Sequence, residues 1–271
     1  MLKTDTELKR DVMDELSWEP GVNAEAVGVA VKEGVVMPAS LAVALTRPGA
    51  DKAVVEVTKP IWIFPEEPFA GKAEWLKKLN IQLFDPAEKT AALFTRIGIP
   101  FKETRNMDAF AEFKDSILII GEGVSLKEYR GLADMMVKAA AAGIPVLCLA
   151  LADGAMQLPG SAGSDQPPPS AISLKQAGII TELDKRLDAE GWAPDGKLLA
   201  ARLALQGDRT GVWAAATQDG SGWAWMDMRF GEGRGRIVVC GFAVVEKWKD
   251  SPAPRFLLTR ILEYVTESTK R

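Results

Sequence analysis

The 271-residue sequence contains no histidine, and this absence excludes more chemistry than any other feature of its composition. Histidine is the usual general base of serine and cysteine hydrolases and the commonest metal ligand in proteins. A Ser-His-Asp or Cys-His-Glu triad is therefore impossible, and so is a zinc site built on imidazole. The two cysteines, Cys148 and Cys240, cannot form a structural zinc site alone. We expect neither a metal nor a cofactor.

Cysteine is scarce, and both copies fall inside apolar, strand-like segments, which is typical of buried free thiols in a reducing compartment. The longest apolar run, residues 139–152, is interrupted by Gly143 and Pro145 and is too short for a membrane helix. The first 11 residues lack the apolar core of a signal peptide. Together these features predict a cytoplasmic protein without a membrane span.

The sequence also lacks an excess of positive charge. Its 33 Lys and Arg residues are outnumbered by 37 Asp and Glu residues, which gives a formal net charge of -4. The basic residues are scattered along the chain, so no cluster predicts contact with the phosphates of a nucleic acid. Hydrophobic residues make up 47% of the chain and charged residues 26%, the balance of a folded globular protein.

The N-terminal residues 1–36 are distinct in pattern from the rest. A capping box at Thr4 and Glu7 predicts a helix, and residues 27–31 alternate in the manner of a strand. The segment "TDTELKRDVMDELSWEPGVNAEAVGVAVKEGVV", residues 4–36, resembles the first helix and strand of a BON domain. The remaining helix and strand of that domain are not visible after residue 36. We expect a small helix–strand appendage, and the apolar stripe of its helix consists of Leu8, Val12 and Leu16.

Two further segments complete the predicted organisation. Residues 37–58 hold two apolar runs around a turn at Pro48 and Gly49, which predicts a hairpin or connecting arm. In residues 59–271, strands that are apolar on both faces alternate with helices, which indicates an α/β fold with a mostly parallel sheet and helices on both faces. The predicted strands are residues 60–65, 116–123, 144–151, 197–205, 211–217, 222–228 and 235–245.

Local signatures mark the starts of three helices in this region. An N-cap residue followed by proline or by a glutamate three positions later is typical of a first helical turn. The first of these helices is predicted to end at Gly98, and the second at Gly143. The predicted starts are Asp85 with Pro86 and Glu88, Ser125 with Glu128, and Ser251 with Pro252.

Four segments between residues 55 and 265 resemble a class I glutamine amidotransferase-like domain with a flavodoxin-like α/β fold. They are "IWIFPEEP", "LFDPAEKTAALFTRIGIPF", "ILIIGEG" and "GEGRGRIVVCGFAVVEKWKDSPAPRFLLTRILEYV". The similarity is greatest to the version appended to bacterial β-galactosidase-type glycoside hydrolases. In those appended domains the fold serves packing or oligomerisation, and the resemblance implies the same use in this chain.

The same resemblance implies where an amidotransferase nucleophile would stand. Residues 145–147 match the strand that leads to it, but Cys148 falls two positions early and Ala150 occupies the nucleophile position. The His-x-Glu pair of the family is absent because the chain has no histidine. We therefore expect no amidotransferase activity.

Polar residues predicted at the carboxyl ends of the strands are the other candidates for chemistry, because open α/β sheets bind ligands at that edge. They are Glu66, Glu122, Ser125 and Asp153. If they converge, their carboxylates could act as general acid and base or hold a hard cation, and the protein would be a hydrolase. The alternative is that they cap helices or are solvated loop charges.

Eight tryptophans is a high number for this length. Trp223 and Trp225 lie two apart on one predicted strand, and Trp213 lies on a strand that we expect nearby. Exposed, these rings could stack on sugars, whereas large aromatic residues on a sheet more often belong to the core. The leading hypothesis is a non-catalytic structural, oligomerisation or protein-interaction module that forms a homo-oligomer or binds a protein. A carbohydrate-associated accessory domain of a glycoside hydrolase system is the alternative.

Overall fold

The computed structural model describes residues 37–46, 53–65, 67–161, 163–187, 204–206, 223–231 and 235–267. Two compact units are present, Met1–Ala70 and Gly71–Arg271. Several predicted features lie outside the described residues: the N-terminal helix and strand, the turn at Pro48 and Gly49, the strand at residues 211–217, Glu66 and Trp213.

The described part of the first unit is a long antiparallel hairpin. Strand β1 (Met37–Thr46) pairs with strand β2 (Ala53–Ile63) from Met37↔Ile63 at one end to Thr46↔Ala53 at the other. The predicted arm of residues 37–58 is therefore a hairpin that runs on to Ile63. The prediction that residues 60–65 open the parallel sheet is wrong, because residues 60–63 pair with β1. Pro60 lacks a backbone N–H but does not end β2. The outer edge of each strand in a two-stranded ribbon has no neighbouring strand, so no N–H donor is needed there.

The second unit contains the remaining strands and five α-helices among its described residues. A 3₁₀-helix, Met107–Glu112, precedes β5. The strands are β3 (Ile81–Phe84), β4 (Phe101–Glu103), β5 (Ile117–Ile120), β6 (Pro145–Cys148), β7 (Ala155–Gln157), β8 (Ala171–Lys175), β9 (Ala204–Gln206), β10 (Trp225–Arg229) and β11 (Arg236–Cys240). The helices are α1 (Ala73–Lys78), α2 (Lys89–Ile97), α3 (Leu132–Ala141), α4 (Ile179–Leu183) and α5 (Pro252–Glu267).

Seven of these strands form one sheet in the order β4-β3-β5-β6-β11-β10-β8. The first five run parallel to one another, whereas β10 is antiparallel to both β11 and β8. The parallel part has the chain order 2-1-3-4-5 of flavodoxin-like folds, in which the switch point lies between β3 and β5. The predicted fold, α/β with a mostly parallel flavodoxin-like sheet, is confirmed.

The core lies on both faces of the central strands. Every residue of β5, β6 and β11 is buried, which explains why these segments are apolar without alternation. The exception is Arg236, whose buried guanidinium pairs with Asp227. Helix α3 shares one core cluster with Leu118, Val146 and Val239. Helix α5 contacts β6 and buries Leu257, Leu258 and Ile261.

Two helices begin later than predicted, and only the third start is correct. Helix α2 begins at Lys89 because Glu88 adopts a left-handed conformation (φ 58°), which no helical turn can include. Asp85 still accepts a hydrogen bond from the helix, from the N–H of Ala91 at 2.8 Å. Gly98 ends α2 in the left-handed conformation, as predicted.

Helix α3 begins at Leu132, seven residues after the predicted cap at Ser125. The capping contact itself forms, since the Glu128 N–H donates to Ser125 Oγ at 3.1 Å. It closes only a turn, because Gly131 (φ 84°) redirects the chain before the helix starts. Helix α5 begins at Pro252, as its sequence predicts.

Candidate functional site

The carboxyl ends of the parallel strands meet at one edge of the sheet, where the sequence predicts a crevice. Glu122 follows β5, and Ala150 and Asp153 follow β6, so all three lie at this edge. The structure joins Ser125 to Asp153 but gives Glu122 different partners. Within the described ranges, no hydrogen bond connects Glu122 to the Ser125–Asp153 pair.

Ser125 and Asp153 tie the loop after β5 to the loop after β6. Ser125 Oγ donates to Asp153 Oδ1 at 2.5 Å, and the Leu126 N–H donates to the Asp153 carbonyl oxygen at 3.3 Å. Lys127 Nζ lies 4.0 Å from Asp153 Oδ2. A serine bonded directly to a carboxylate lacks the imidazole that carries the proton in hydrolase triads. The geometry is that of a structural tie between two loops.

Glu122 is a buried carboxylate whose two oxygens each accept a backbone hydrogen bond. Oε2 accepts from the Val245 N–H and Oε1 from the Glu246 N–H, both at 2.8 Å, and the side chain is 5% exposed. Burial raises the pKa of Glu122, while the two N–H donors partly oppose the rise. Val245 and Glu246 follow β11, and β6 lies between β5 and β11. The contact therefore crosses the carboxyl end of β6.

This arrangement engages the carboxylate that the hydrolase hypothesis requires. Each oxygen uses one of its lone pairs for a backbone N–H, and burial limits the access of a substrate or a cation to the rest of the carboxylate. Among the described residues, no group of three or more potential metal ligands is present. The contacts of Glu122 favour a role in holding the segment after β11 in place.

Three backbone N–H groups beside the predicted nucleophile position, those of residues 121–123, already have acceptors. The Gly121 N–H donates to the Phe84 carbonyl oxygen at 2.9 Å and the Glu122 N–H to Thr90 Oγ1 at 2.9 Å. The Gly123 N–H donates to the Ala150 carbonyl oxygen at 2.7 Å. An oxyanion hole needs N–H groups directed at open space. These three N–H groups are directed at protein acceptors, and Ala150 is buried beneath them.

Both cysteine thiols are buried within the sheet, as predicted. Burial raises the pKa of the Cys148 thiol far above its usual range and that of Cys240 to about 12. The thiolate is the nucleophilic form of cysteine, so thiols with such values are inert at neutral pH. Cys148 donates only a weak 3.4 Å contact to the Leu149 carbonyl oxygen.

Asp85 is a polar group at this edge that the sequence interpretation treated only as a helix cap. Its Oδ2 accepts from the Ala91 N–H, while its Oδ1 is buried and has no hydrogen-bond partner among the residues that the structure describes. Burial raises the pKa of Asp85. A Cβ atom at Gly121 would lie 2.3 Å from Oδ1, so glycine is required where β5 ends beside this carboxyl group. The glycine after a buried strand was the only sequence signal of this close approach.

The tryptophan pair does not form an exposed platform, because Trp223 is half-buried and Trp225 is buried. Trp225 is 2% exposed and packs against the Tyr264 ring at 5.8 Å between centroids. Its strand β10 lies inside the sheet, between β11 and β8, which explains the burial. Tyr264 O–H donates to Asp227 Oδ2 at 2.7 Å, and the Arg236 guanidinium lies 4.0 Å from the Tyr264 ring. Trp225 therefore belongs to a buried ionic and aromatic cluster.

The hairpin of the first unit carries the clearest unexplained surface. Val43, Val55 and Val57 are 41%, 52% and 58% exposed, and Val43 is directly opposite Val57 in the strand register. Exposed valines on neighbouring strands form a contiguous apolar patch, which soluble proteins seldom leave uncovered. The sequence predicted the arm, but not that its valines would be exposed together.

Within the described ranges, no helix has both the length and the apolar character needed to cross a membrane. No protein family, curated protein or solved structure matches this chain.

Proposed function

We propose that the chain is a non-catalytic α/β module that acts through protein–protein contact, and that the hairpin β1–β2 binds the same hairpin of a second copy. The observation that carries the proposal is the exposed apolar face of this hairpin. The resemblance to appended amidotransferase-like domains, which serve packing or oligomerisation, agrees with it. The two buried free thiols suit the reducing cytoplasm, where we place the protein.

Strand alternation collects the apolar residues of the hairpin on one face. In the observed register, residues two apart on each strand share a face, and directly paired residues share it too. The face that contains Val57 includes one charged residue, Lys59. Its members with described side chains are Ala39, Leu41, Val43, Val55, Val57, Lys59, Ile61 and Ile63.

A two-stranded ribbon needs a covered face to be stable. An isolated hairpin is marginal in water, and a third strand or another packed surface supplies the missing burial. With one charge among its eight described positions, the face selects neither an acidic nor a basic partner. It is complementary to another apolar strand face, and a second copy always offers one. Two-fold pairing of one surface with itself is also the commonest form of homo-oligomer.

The size of the face sets the expected affinity. Ten residues at about 3.3 Å each give a ribbon about 33 Å long and about 10 Å wide. Two such faces in contact bury on the order of 700–1,000 Å², which is below the ~1,200 Å² of standard stable complexes. We therefore expect a weak dimer whose dissociation constant lies in the micromolar range.

Sedimentation velocity across about 1–200 μM protein tests the proposal, since this range spans the expected dissociation constant. The wild-type chain should shift from monomer to dimer as its concentration rises. The variant Val55→Lys/Val57→Lys places two charges on the apolar face and should stay monomeric. A matched control, Ser40→Lys/Thr58→Lys, adds the same charges to exposed positions on the opposite face and should dimerise like the wild type.

Two results would overturn the proposal. One is a wild-type chain that remains monomeric over the whole concentration range. The other is a dimer that both lysine variants weaken equally, because a general charge effect would then explain the loss. If the valine variant instead unfolds at a lower denaturant concentration while the wild type stays monomeric, the face is covered by the same chain.

A further inference from the structure

A cleft of about 930 Å³ lies at the amino ends of β5 and β6, at the opposite end of the strands from Glu122. Ile117 and Pro145, the first residues of these two strands, are part of its lining. Helix α1 and the segment that precedes β5 contribute further lining residues. Small-molecule sites in proteins occupy about 300–1,000 Å³. The cleft is therefore large enough for a small organic ligand.

The charges around the cleft are predominantly positive. Three lysines line it, Lys72, Lys78 and Lys114, against two acidic residues, Asp115 and Glu263. Both carboxylate oxygens of Glu263 are engaged, Oε1 by Lys72 and Oε2 by Arg260 at 2.5 Å.

Lys78 and Lys114 differ from Lys72 in their contacts. Neither of the two forms an ion pair among the described residues, and both are exposed to solvent. They approach the cleft from different elements, Lys78 from the last turn of α1 and Lys114 from the segment before β5. In a chain with a net charge of -4, the two ammonium groups outweigh the one further carboxylate of the lining, Asp115, so the cleft has a net positive charge.

The remaining lining is aromatic and aliphatic. Trp75 is half-buried, and its ring lies 5.7 Å from Lys72 Nζ. Leu79, Ile144 and Pro145 add apolar surface. An apolar lining with a small number of charged groups is the usual composition of a site for small organic molecules.

We propose that this cleft binds an organic anion that has a planar apolar body, with Trp75 contacting the body and Lys78 and Lys114 holding the anionic group. The proposal is independent of the hairpin contact, because every lining residue belongs to the second unit. A carboxylate, phosphate or sulfonate satisfies the charge requirement equally well. The planar body follows from Trp75, whose half-buried indole lines the cleft and favours aromatic stacking.

Fluorescence titration with 8-anilinonaphthalene-1-sulfonate tests the proposal, because this probe combines a planar apolar body with one anionic group. Its uncharged counterpart, N-phenyl-1-naphthylamine, has the same rings without the sulfonate. Lys78→Ala/Lys114→Ala should raise the dissociation constant of the anionic probe by about five- to tenfold. It should leave that of the neutral probe unchanged. Trp75→Leu should weaken the binding of both probes.

The matched control is Lys77→Ala/Lys102→Ala, which removes the same charge from two exposed lysines outside the cleft. Lys77 is next to Lys78 on α1 but pairs with Glu74 at 2.8 Å. This variant should bind the anionic probe like the wild type. An equal loss in both double variants would overturn the proposal, because only net charge would then matter. No saturable binding below about 1 mM probe would also overturn it.

The hairpin variant Val55→Lys/Val57→Lys separates this proposal from the previous one. Probe binding that disappears in that variant but persists in Lys78→Ala/Lys114→Ala would place the probe on the hairpin and refute the cleft. The expected result is that Lys78→Ala/Lys114→Ala still dimerises but binds the anionic probe more weakly than the wild type.

Discussion

Replacement of Glu122 tests whether the carboxyl edge of the sheet is structural. Glu122→Ala removes the acceptor of two backbone N–H groups, those of Val245 and Glu246, each bonded at 2.8 Å. A hydrogen bond to a charged group contributes about 1.5–3 kcal/mol. Partial access of water to the freed N–H groups offsets some of that loss. We expect the free energy of unfolding to fall by about 3 kcal/mol, and by about half as much in Glu122→Gln, which keeps one acceptor.

The same residue gives the protein a predictable pH dependence. Burial raises the pKa of Glu122 in the folded state above its ordinary value of 4.5. The folded state therefore holds this proton more tightly than the unfolded state does. The contribution of Glu122 to the free energy of unfolding is greatest at pH values below the ordinary pKa, and it falls as the pH rises through the folded pKa. Because glutamine does not titrate, the stability advantage of the wild type over Glu122→Gln should be larger at about pH 4 than at about pH 7.

Urea denaturation followed by circular dichroism, at each of the two pH values, measures these differences. Glu112→Gln is the control, since Glu112 is an exposed carboxylate in the 3₁₀-helix and its replacement should change the midpoint little. The reasoning is refuted if Glu122→Ala unfolds at the wild-type urea concentration. It is refuted in its electrostatic part if the gap between wild type and Glu122→Gln widens as the pH rises.

Two further predictions concern the interior of the second unit. Cys148 and Cys240 should not react with Ellman's reagent at pH 8 in the folded protein, and both should react in guanidinium, because burial keeps the thiols protonated. Gly235→Ala should cost about 2–3 kcal/mol in urea denaturation, since its Cβ would lie 1.9 Å from the Ala140 carbonyl oxygen. Gly178→Ala, with open space around the new atom, should be nearly neutral.

The fold class was predictable because its central strands carry a strong sequence signal. Residues 145–148 and 237–240 are buried on both faces, and strands buried on both faces are predominantly apolar. Gly98 was equally clear, because only glycine adopts the left-handed helix end without strain. Strands β3 and β4 were missed because four and three residues are too few to establish a period.

The helix starts show why a local signal can mislead. The hydrogen bond from the Glu128 N–H to Ser125 Oγ is the same in a single turn and in the first turn of a helix. Whether a helix follows depends on the next residues, and Gly131 ends the turn instead. At Asp85 the cap is also real, but it reaches the N–H of Ala91, six residues away, across a left-handed Glu88.

The hydrogen-bond partners of the carboxylates at the strand ends could not be predicted from the sequence. The partners of Glu122 are 123 and 124 residues away, so the contact depends on how two loops meet after the sheet has formed. Ser125 and Asp153 are 28 residues apart and meet for the same reason. Sequence spacing fixes which edge of the sheet a residue reaches, because parallel strands share that edge. It does not fix which neighbour the side chain then binds.

These contacts decide where in the molecule a function can reside. A flavodoxin-like sheet usually binds ligands at its carboxyl edge, where loops leave polar groups free. In this chain the Glu122 carboxylate, the Ser125–Asp153 pair and the N–H groups of residues 121–123 all bond to other parts of the protein. At the amino edge, helix α1 has only six residues, and a cleft of about 930 Å³ lies beside it. These internal contacts stabilise the fold, and among the described residues the amino-edge cleft and the apolar face of the hairpin are the surfaces that we propose form new contacts.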